Sequence, residues 1–122
     1  MAVKSTSNKA KGIIRREIAA YDWNAKKLKD QIDSFNTYPR HVRPATPYHA
    51  GRKLVEGGCF ACYYPETDEM LGRIYGKDKV KKWSNEKKWD TYTHLLSREI
   101  NSIYNTGKMS LATANKKRIS RK

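Results

Sequence analysis

Two cysteines and three histidines are the side chains of this sequence that could bind a transition metal. Cys59 and Cys62 have the Cys-x-x-Cys spacing of zinc and redox sites, and His41 and His49 precede them. Their spacing from the cysteines matches no familiar zinc finger, and the sequence has no second cysteine pair. Because aromatic residues surround both cysteines, we expect the thiols to pack as small apolar groups. Cys59 and Cys62 are therefore only weak metal candidates.

Catalytic constellations are not evident in the sequence. The motifs of phosphate-binding loops, dinucleotide sites and zinc proteases do not occur. The carboxylates are scattered, and His94, within the longest predicted helix, has no evident catalytic partner. We therefore expect a protein that is not an enzyme and that has no cofactor.

The positive charge is concentrated in three segments that contain no acidic residue. The chain has 122 residues and a formal net charge of +14. Segments 1–16, 34–55 and 100–122 carry charges of +5, +4 and +6, so the remainder is close to neutral. Such concentrated positive charge favours binding to a polyanion, because each neutralised phosphate releases condensed counterions. Nucleic acid is therefore the predicted partner.

The predicted contacts to nucleic acid are basic residues in or near these segments and in a lysine-rich stretch around residue 82. They are Lys9, Lys11, Arg15, Arg16, Arg40, Arg43, Arg52, Lys53, Lys79, Lys81, Lys82, Lys87, Lys88, Lys116, Lys117, Arg118, Arg121 and Lys122. Tyr38 and Tyr48 are interleaved with the arginines, which suits base stacking beside phosphate contacts. Most of these contacts would position the protein on the phosphate backbone rather than distinguish one base sequence from another.

A stretch from Asp68 to Lys88 partly resembles a helix-turn-helix motif. Leu71, Gly72, Tyr75 and Gly76 have the apolar, small, apolar and turn-glycine pattern of its first half. The second half departs from it, because Lys82 and Asn85 stand where apolar residues are expected. A helical hairpin with a solvated lysine face is the alternative. Together with the helical character, this partial resemblance favours DNA over RNA.

The spacing of apolar residues predicts a mainly α fold of about five to six helices, with at most one or two short strands near 59–64. Helices are predicted near 8–21, 25–35, 49–56, 67–76, 77–83 and 84–104. The first two should form an antiparallel pair. Two helices should pack together through their apolar seams, the stripes of apolar residues at 25, 28, 32 and 35 and at 89, 92, 96, 100 and 103. Gly57 and Gly58 should end the third helix.

The predicted organisation is one helical domain, residues 8–105, with basic arms. Residues 1–16 form a basic N-terminal arm leading into the first helix, 36–48 a proline-rich basic loop, and 106–122 a basic C-terminal tail. The absence of an apolar run of about 18 residues argues against a membrane span. Two cysteines and no secretory signal favour an intracellular protein, cytoplasmic or associated with the nucleoid.

Two functions follow from these observations. The first is a small basic, non-enzymatic protein that binds nucleic acid mainly through phosphates. The alternative is a protein–protein interaction module, such as a small inhibitor or an assembly subunit docking on an acidic or nucleic-acid-handling machine. Composition does not separate the two, and it leaves the oligomeric state open.

Overall fold

Helices account for most of the structure that the computed structural model describes, residues 8–59 and 64–108. Six α-helices occur in these two ranges: α1 (Asn8–Ala20), α2 (Ala25–Ser34), α3 (Pro47–Leu54), α4 (Tyr64–Tyr75), α5 (Lys77–Lys81) and α6 (Asn85–Thr106). Two 3-10 turns, Phe35–Thr37 and Arg40–Val42, lie between α2 and α3, and a π-helical turn, Val55–Cys59, follows α3. The predicted mainly helical fold is confirmed, and the described ranges contain no strand.

The longest helix, α6, is the centre of the fold. Helices α1, α2, α3 and α4 all contact it. Its buried residues therefore lie on more than one of its faces: Tyr92, Thr93, Leu95, Leu96, Ser97, Glu99, Ile100 and Ile103. The predicted packing of the two apolar seams is confirmed, since Leu28 and Ile32 of α2 join the same core as Leu96 and Ile100.

Side-chain caps and a glycine fix several helix ends. Asn24 Oδ1 accepts a hydrogen bond from the Lys27 amide at 2.9 Å, and Ser84 Oγ accepts one from the Lys87 amide at 3.1 Å. These are ordinary N-caps. Gly107 ends α6 with a φ of 73°, and its amide donates to the Ile103 carbonyl. A positive φ suits glycine, which has no Cβ to clash.

The expected pairing of α1 with α2 is wrong. Helix α1 packs against α4 and α6, whereas α2 packs against α6 and α3. The short connection at Asp22, which has a φ of 66°, turns the chain so that both helices face α6. Burial against the central helix therefore outweighs pairing between the two neighbours in sequence.

Two boundaries around α3 also differ from the prediction. The helix begins at Pro47 rather than His49, because Thr46 Oγ1 accepts from the His49 amide and proline is tolerated in the first turn. Gly57 and Gly58 do not end the helical path, which continues through them as the π turn to Cys59. Of the strand candidate 59–64, Cys59 ends this turn and Tyr64 begins α4, so both ends are helical. Residues 60–63 lie outside the described ranges.

None of the helices in the described part of the chain is both long and apolar enough to cross a lipid bilayer.

Candidate nucleic-acid interface

The structure places two of the predicted contact residues inside the fold. Arg15 Nε lies 2.9 Å from Glu99 Oε1, Arg15 Nη2 lies 3.3 Å from Ser102 Oγ, and the Arg15 side chain is only 12% exposed. Lys88 Nζ lies 3.2 Å from Asp68 Oδ1, and its side chain is also 12% exposed. Both cations neutralise carboxylates of neighbouring helices. They stabilise the fold and are not available as phosphate contacts.

A second group, on the α3–α6 surface, combines Tyr48, Arg52 and His94. Tyr48 Oη lies 2.9 Å from His94 Nδ1 and accepts a hydrogen bond from Arg52 Nη1 at 3.2 Å. Arg52 Nη2 lies 3.3 Å from Glu56 and 3.6 Å from Asp90, so its charge is largely balanced. The hydrogen bond to Tyr48 raises the pKa of Arg52.

The same surface keeps His94 neutral near pH 7. Burial, and then the positive charge of Arg98, lower the pKa of His94 below its ordinary value of 6.5. Its Nδ1 atom already contacts the Tyr48 hydroxyl. Tyr48 is half-buried and held between Arg52 and His94, so its ring is a weaker stacking candidate than the sequence suggested.

One basic surface is formed by α5 and the residues on either side of it. We call it the lysine corner and define it as Lys77, Lys79, Lys81, Lys82 and Lys87 with the rings of Tyr75 and Trp83. All five lysines are exposed, and none forms an ion pair with another described residue. Residues 77–87 contain these five lysines and two carboxylates, Asp78 and Glu86. The net charge of this segment is therefore +3.

Backbone geometry holds the lysine corner in place. Gly76 has a φ of 102°, which glycine adopts readily, and this lets the chain turn between α4 and α5. Val80, 2% exposed, anchors α5 in the core. The Trp83 amide then donates to the Val80 carbonyl at 2.9 Å, and Ser84 caps the start of α6. The lysines therefore project from a fixed turn.

Two aromatic rings lie among these lysines. The rings of Tyr75 and Trp83 are tilted against each other with centroids 5.3 Å apart. Lys87 Nζ lies 4.4 Å from the centre of the Trp83 ring, a distance typical of a cation–π contact. Tyr75 is among the most exposed large apolar residues of the described chain. The arrangement offers phosphate-binding ammonium groups beside flat rings.

No observed contact among the described residues joins the other predicted contact residues to the lysine corner. Lys9, Lys11 and Arg16 are exposed on α1, Arg40 and Arg43 are exposed in the loop before α3, and Lys53 is exposed on α3. Lys116, Lys117, Arg118, Arg121, Lys122 and Cys62 lie outside the described ranges. Cys59 ends the π turn. Within the described ranges, no three His, Cys, Asp or Glu side chains are grouped as a metal site would require.

The segment that partly resembles a helix-turn-helix motif does not have the geometry of that motif. Helix α5, the element after the turn glycine, has five residues, and the chain then turns at Trp83 before α6 begins. Five residues make less than one and a half helical turns, too few to lie along a major groove as a recognition helix does. The alternative prediction, a helical hairpin with a lysine face, describes α4 and α5 better.

A small cleft lies between the end of α2 and the start of α3. Its volume is about 100 Å³, and Phe35, Pro44, Pro47 and Tyr104 are among its lining residues. Small-molecule sites occupy roughly 300–1,000 Å³. The cleft could therefore hold a group no larger than a single ring, and it is too small for a nucleotide cofactor.

Three residues of these surfaces were not among the predicted nucleic-acid contacts: Tyr75, Lys77 and Trp83. The signal for Trp83 was present, because it stands between two lysine pairs at 81–82 and 87–88. Interleaved lysines and aromatics are typical of surfaces that follow a nucleic-acid strand. Tyr75 gave no such signal, since only the fold brings its ring against Trp83.

The chain was compared with models of protein families, with curated proteins and with solved structures, and none of the three comparisons finds a match.

Proposed function

We propose that this protein is a small, non-enzymatic nucleic-acid-binding protein that contacts its partner mainly through phosphates. The observation that carries the proposal is the lysine corner. Five exposed ammonium groups without carboxylate partners among the described residues lie on α5, on the turn that follows it and on the first turn of α6, beside the rings of Trp83 and Tyr75. We further propose that it acts inside the cell, in the cytoplasm or on the nucleoid, which its low cysteine content supports.

Electrostatics explain why unpaired lysines favour a polyanion. A lysine already paired with a carboxylate, such as Lys26 with Asp30 at 2.9 Å, gains less from a phosphate because that contact must compete with its partner. The lysines of the corner have no such ion pair among the described residues, and residues 77–87 carry a net charge of +3. Each phosphate they neutralise would release a condensed counterion, so affinity should fall steeply with salt.

Paired glutamine variants test this proposal. Lys79→Gln with Lys82→Gln removes two charges from the corner, whereas Lys26→Gln with Lys29→Gln removes two charges that already face Asp30 and Asp33. Both variants have the same net charge. Titration of each with a DNA duplex over a range of salt concentrations should show a slope of log K against log salt that is shallower by roughly 1.8 for the corner variant. The α2 variant should retain nearly the wild-type slope.

Equal slopes for the two variants would contradict a role for the corner. A wild-type chain that binds neither duplex nor single strand at low salt would contradict nucleic-acid binding altogether. The latter result, together with a purified protein free of nucleic acid by its absorbance at 260 and 280 nm, would favour a protein-docking module instead. A difference confined to one base sequence would indicate base recognition in place of phosphate contact.

A further inference from the structure

The loop between α2 and α3 is closed by hydrogen bonds from one arginine. Arg43 donates from both Nε and Nη2 to the Tyr38 carbonyl, at 3.3 Å and 2.9 Å. Backbone bonds tighten the same loop, from the Val42 amide to the Pro39 carbonyl and from the Arg43 amide to the Arg40 carbonyl. Residues 38–43 therefore form a closed loop with a defined shape.

This loop presents the ring of Tyr38 to solvent. Tyr38 is 41% exposed, and its ring meets the buried Phe35 ring at 80° with centroids 5.1 Å apart. The Tyr38 hydroxyl makes no hydrogen bond to a described residue. Tyr48, the other stacking candidate, is held by Arg52 and His94. The fold thus separates the two tyrosines, and Tyr38 is the one with a ring surface left open.

The charge around Tyr38 is positive. No acidic residue occurs between residues 34 and 55, and Arg40 and Arg43 are both exposed. Arg43 uses only part of its guanidinium for the loop and has five N–H donors in all. An anionic strand could therefore contact arginine and the tyrosine ring at the same place.

We propose that Tyr38 stacks on an unpaired base and that the loop 38–43 is a second contact site, specific for single-stranded nucleic acid. This inference rests on the proposed function and adds to it a preference for strands with exposed bases. Bases inside a duplex are already stacked on their neighbours, so only an unpaired base offers its face to the ring. Because the loop is closed before binding, little conformational entropy is lost when the base arrives.

The test compares Tyr38→Ala with the wild-type protein on three probes of equal length: oligothymidine, the same strand with abasic sites, and a duplex. Tyr38→Ala should weaken binding to oligothymidine by roughly 5- to 150-fold. Binding to the abasic strand and to the duplex should change by less than about 2-fold. Tyr38→Trp should restore binding to oligothymidine, since a larger ring also stacks.

Val42→Ala is the matched control, because Val42 lies in the same loop with the same exposure of 41% and has no ring. It should bind all three probes as the wild-type protein does. Unchanged affinity of Tyr38→Ala for oligothymidine, or an equal loss on the duplex, would overturn the inference while leaving phosphate binding by the lysine corner intact. Failure of the wild-type protein to bind any probe would refute the proposed function and this inference together.

Discussion

Arg15 and Glu99 form a buried ion pair that joins α1 to the central helix across 84 positions of the chain, with Arg15 Nε 2.9 Å from the carboxylate. The next residue, Arg16, is exposed. Successive residues of a helix differ by about 100° in direction, so one turn of α1 serves both the core and the surface. Two adjacent arginines with equal charge therefore have different roles.

Arg15→Gln should lower the free energy of unfolding by about 3 kcal/mol or more, because it leaves the Glu99 carboxylate buried without its cation. Urea denaturation followed by circular dichroism measures this loss. Arg16→Gln should change stability by less than about 0.5 kcal/mol, as exposed substitutions usually do. Arg15→Met combined with Glu99→Leu should recover much of the lost stability, since it removes both charges. Equal stability of the two glutamine variants would show that the ion pair does not hold α1.

Gly51→Ala should destabilise the protein by about 1–2 kcal/mol, although alanine favours helices over glycine. A Cβ at Gly51 would lie 3.1 Å from Ile100 Cγ2 and 3.2 Å from Ile100 Cβ, and Ile100 is fully buried, so its side chain must shift within the packed core. Gly57→Ala is the control, because its Cβ would meet no atom within 4 Å. Chemical denaturation should give a lower free energy of unfolding for Gly51→Ala than for the wild type. For Gly57→Ala it should give an equal or slightly higher one. A Gly51→Ala variant more stable than wild type would contradict the close approach of α3 and α6.

Asp33 should make the stability depend on pH in the acid range. Its carboxylate accepts hydrogen bonds from Lys29 Nζ at 2.8 Å and from the Tyr104 hydroxyl at 2.5 Å, and these bonds lower the pKa of Asp33 below its ordinary 3.8. A lowered pKa in the folded state contributes stability above pH 3.8, which is lost as the pH falls through the folded value.

Asp33→Asn should therefore be less stable than wild type at pH 7, and the difference should shrink between about pH 4 and pH 2. Urea midpoints measured across this range give the comparison. Asp30→Asn is the control, since the Asp30 carboxylate forms its ion pair with the exposed Lys26 ammonium. A difference that stays constant down to pH 2 would mean that the charge of Asp33 contributes nothing.

Local sequence signals predicted the helices well. The seam of Leu28, Ile32 and Phe35 is buried as its spacing requires, and Asn24 and Ser84 cap the helices that follow them. These features depend on residues three or four positions apart, so the sequence contains all the information needed to find them.

Long-range relationships were less predictable. The periodic pattern of α6 indicated one apolar stripe, yet Thr93, Ser97 and Glu99 are buried as well because helices pack around it. The partner of Glu99 is 84 residues away, and no local pattern identifies it. The same holds for the candidate site. Charge grouped Arg15 with Arg16, and interleaving with arginines grouped Tyr38 with Tyr48, but only the fold separates their surroundings.

The central position of α6 has a consequence for synthesis of the protein. Ribosomes release the chain from its N-terminus, so α1 to α5 emerge before residues 85–106. Until α6 follows, the faces of α1, α2 and α3 that contain Ile14, Leu28 and Leu54 have no central helix to cover them. Chaperones bind exposed apolar surface of this kind, and chains that expose it tend to aggregate. A nascent chain stalled before residue 85 should therefore remain unfolded, and the core should form in one late step once α6 is free.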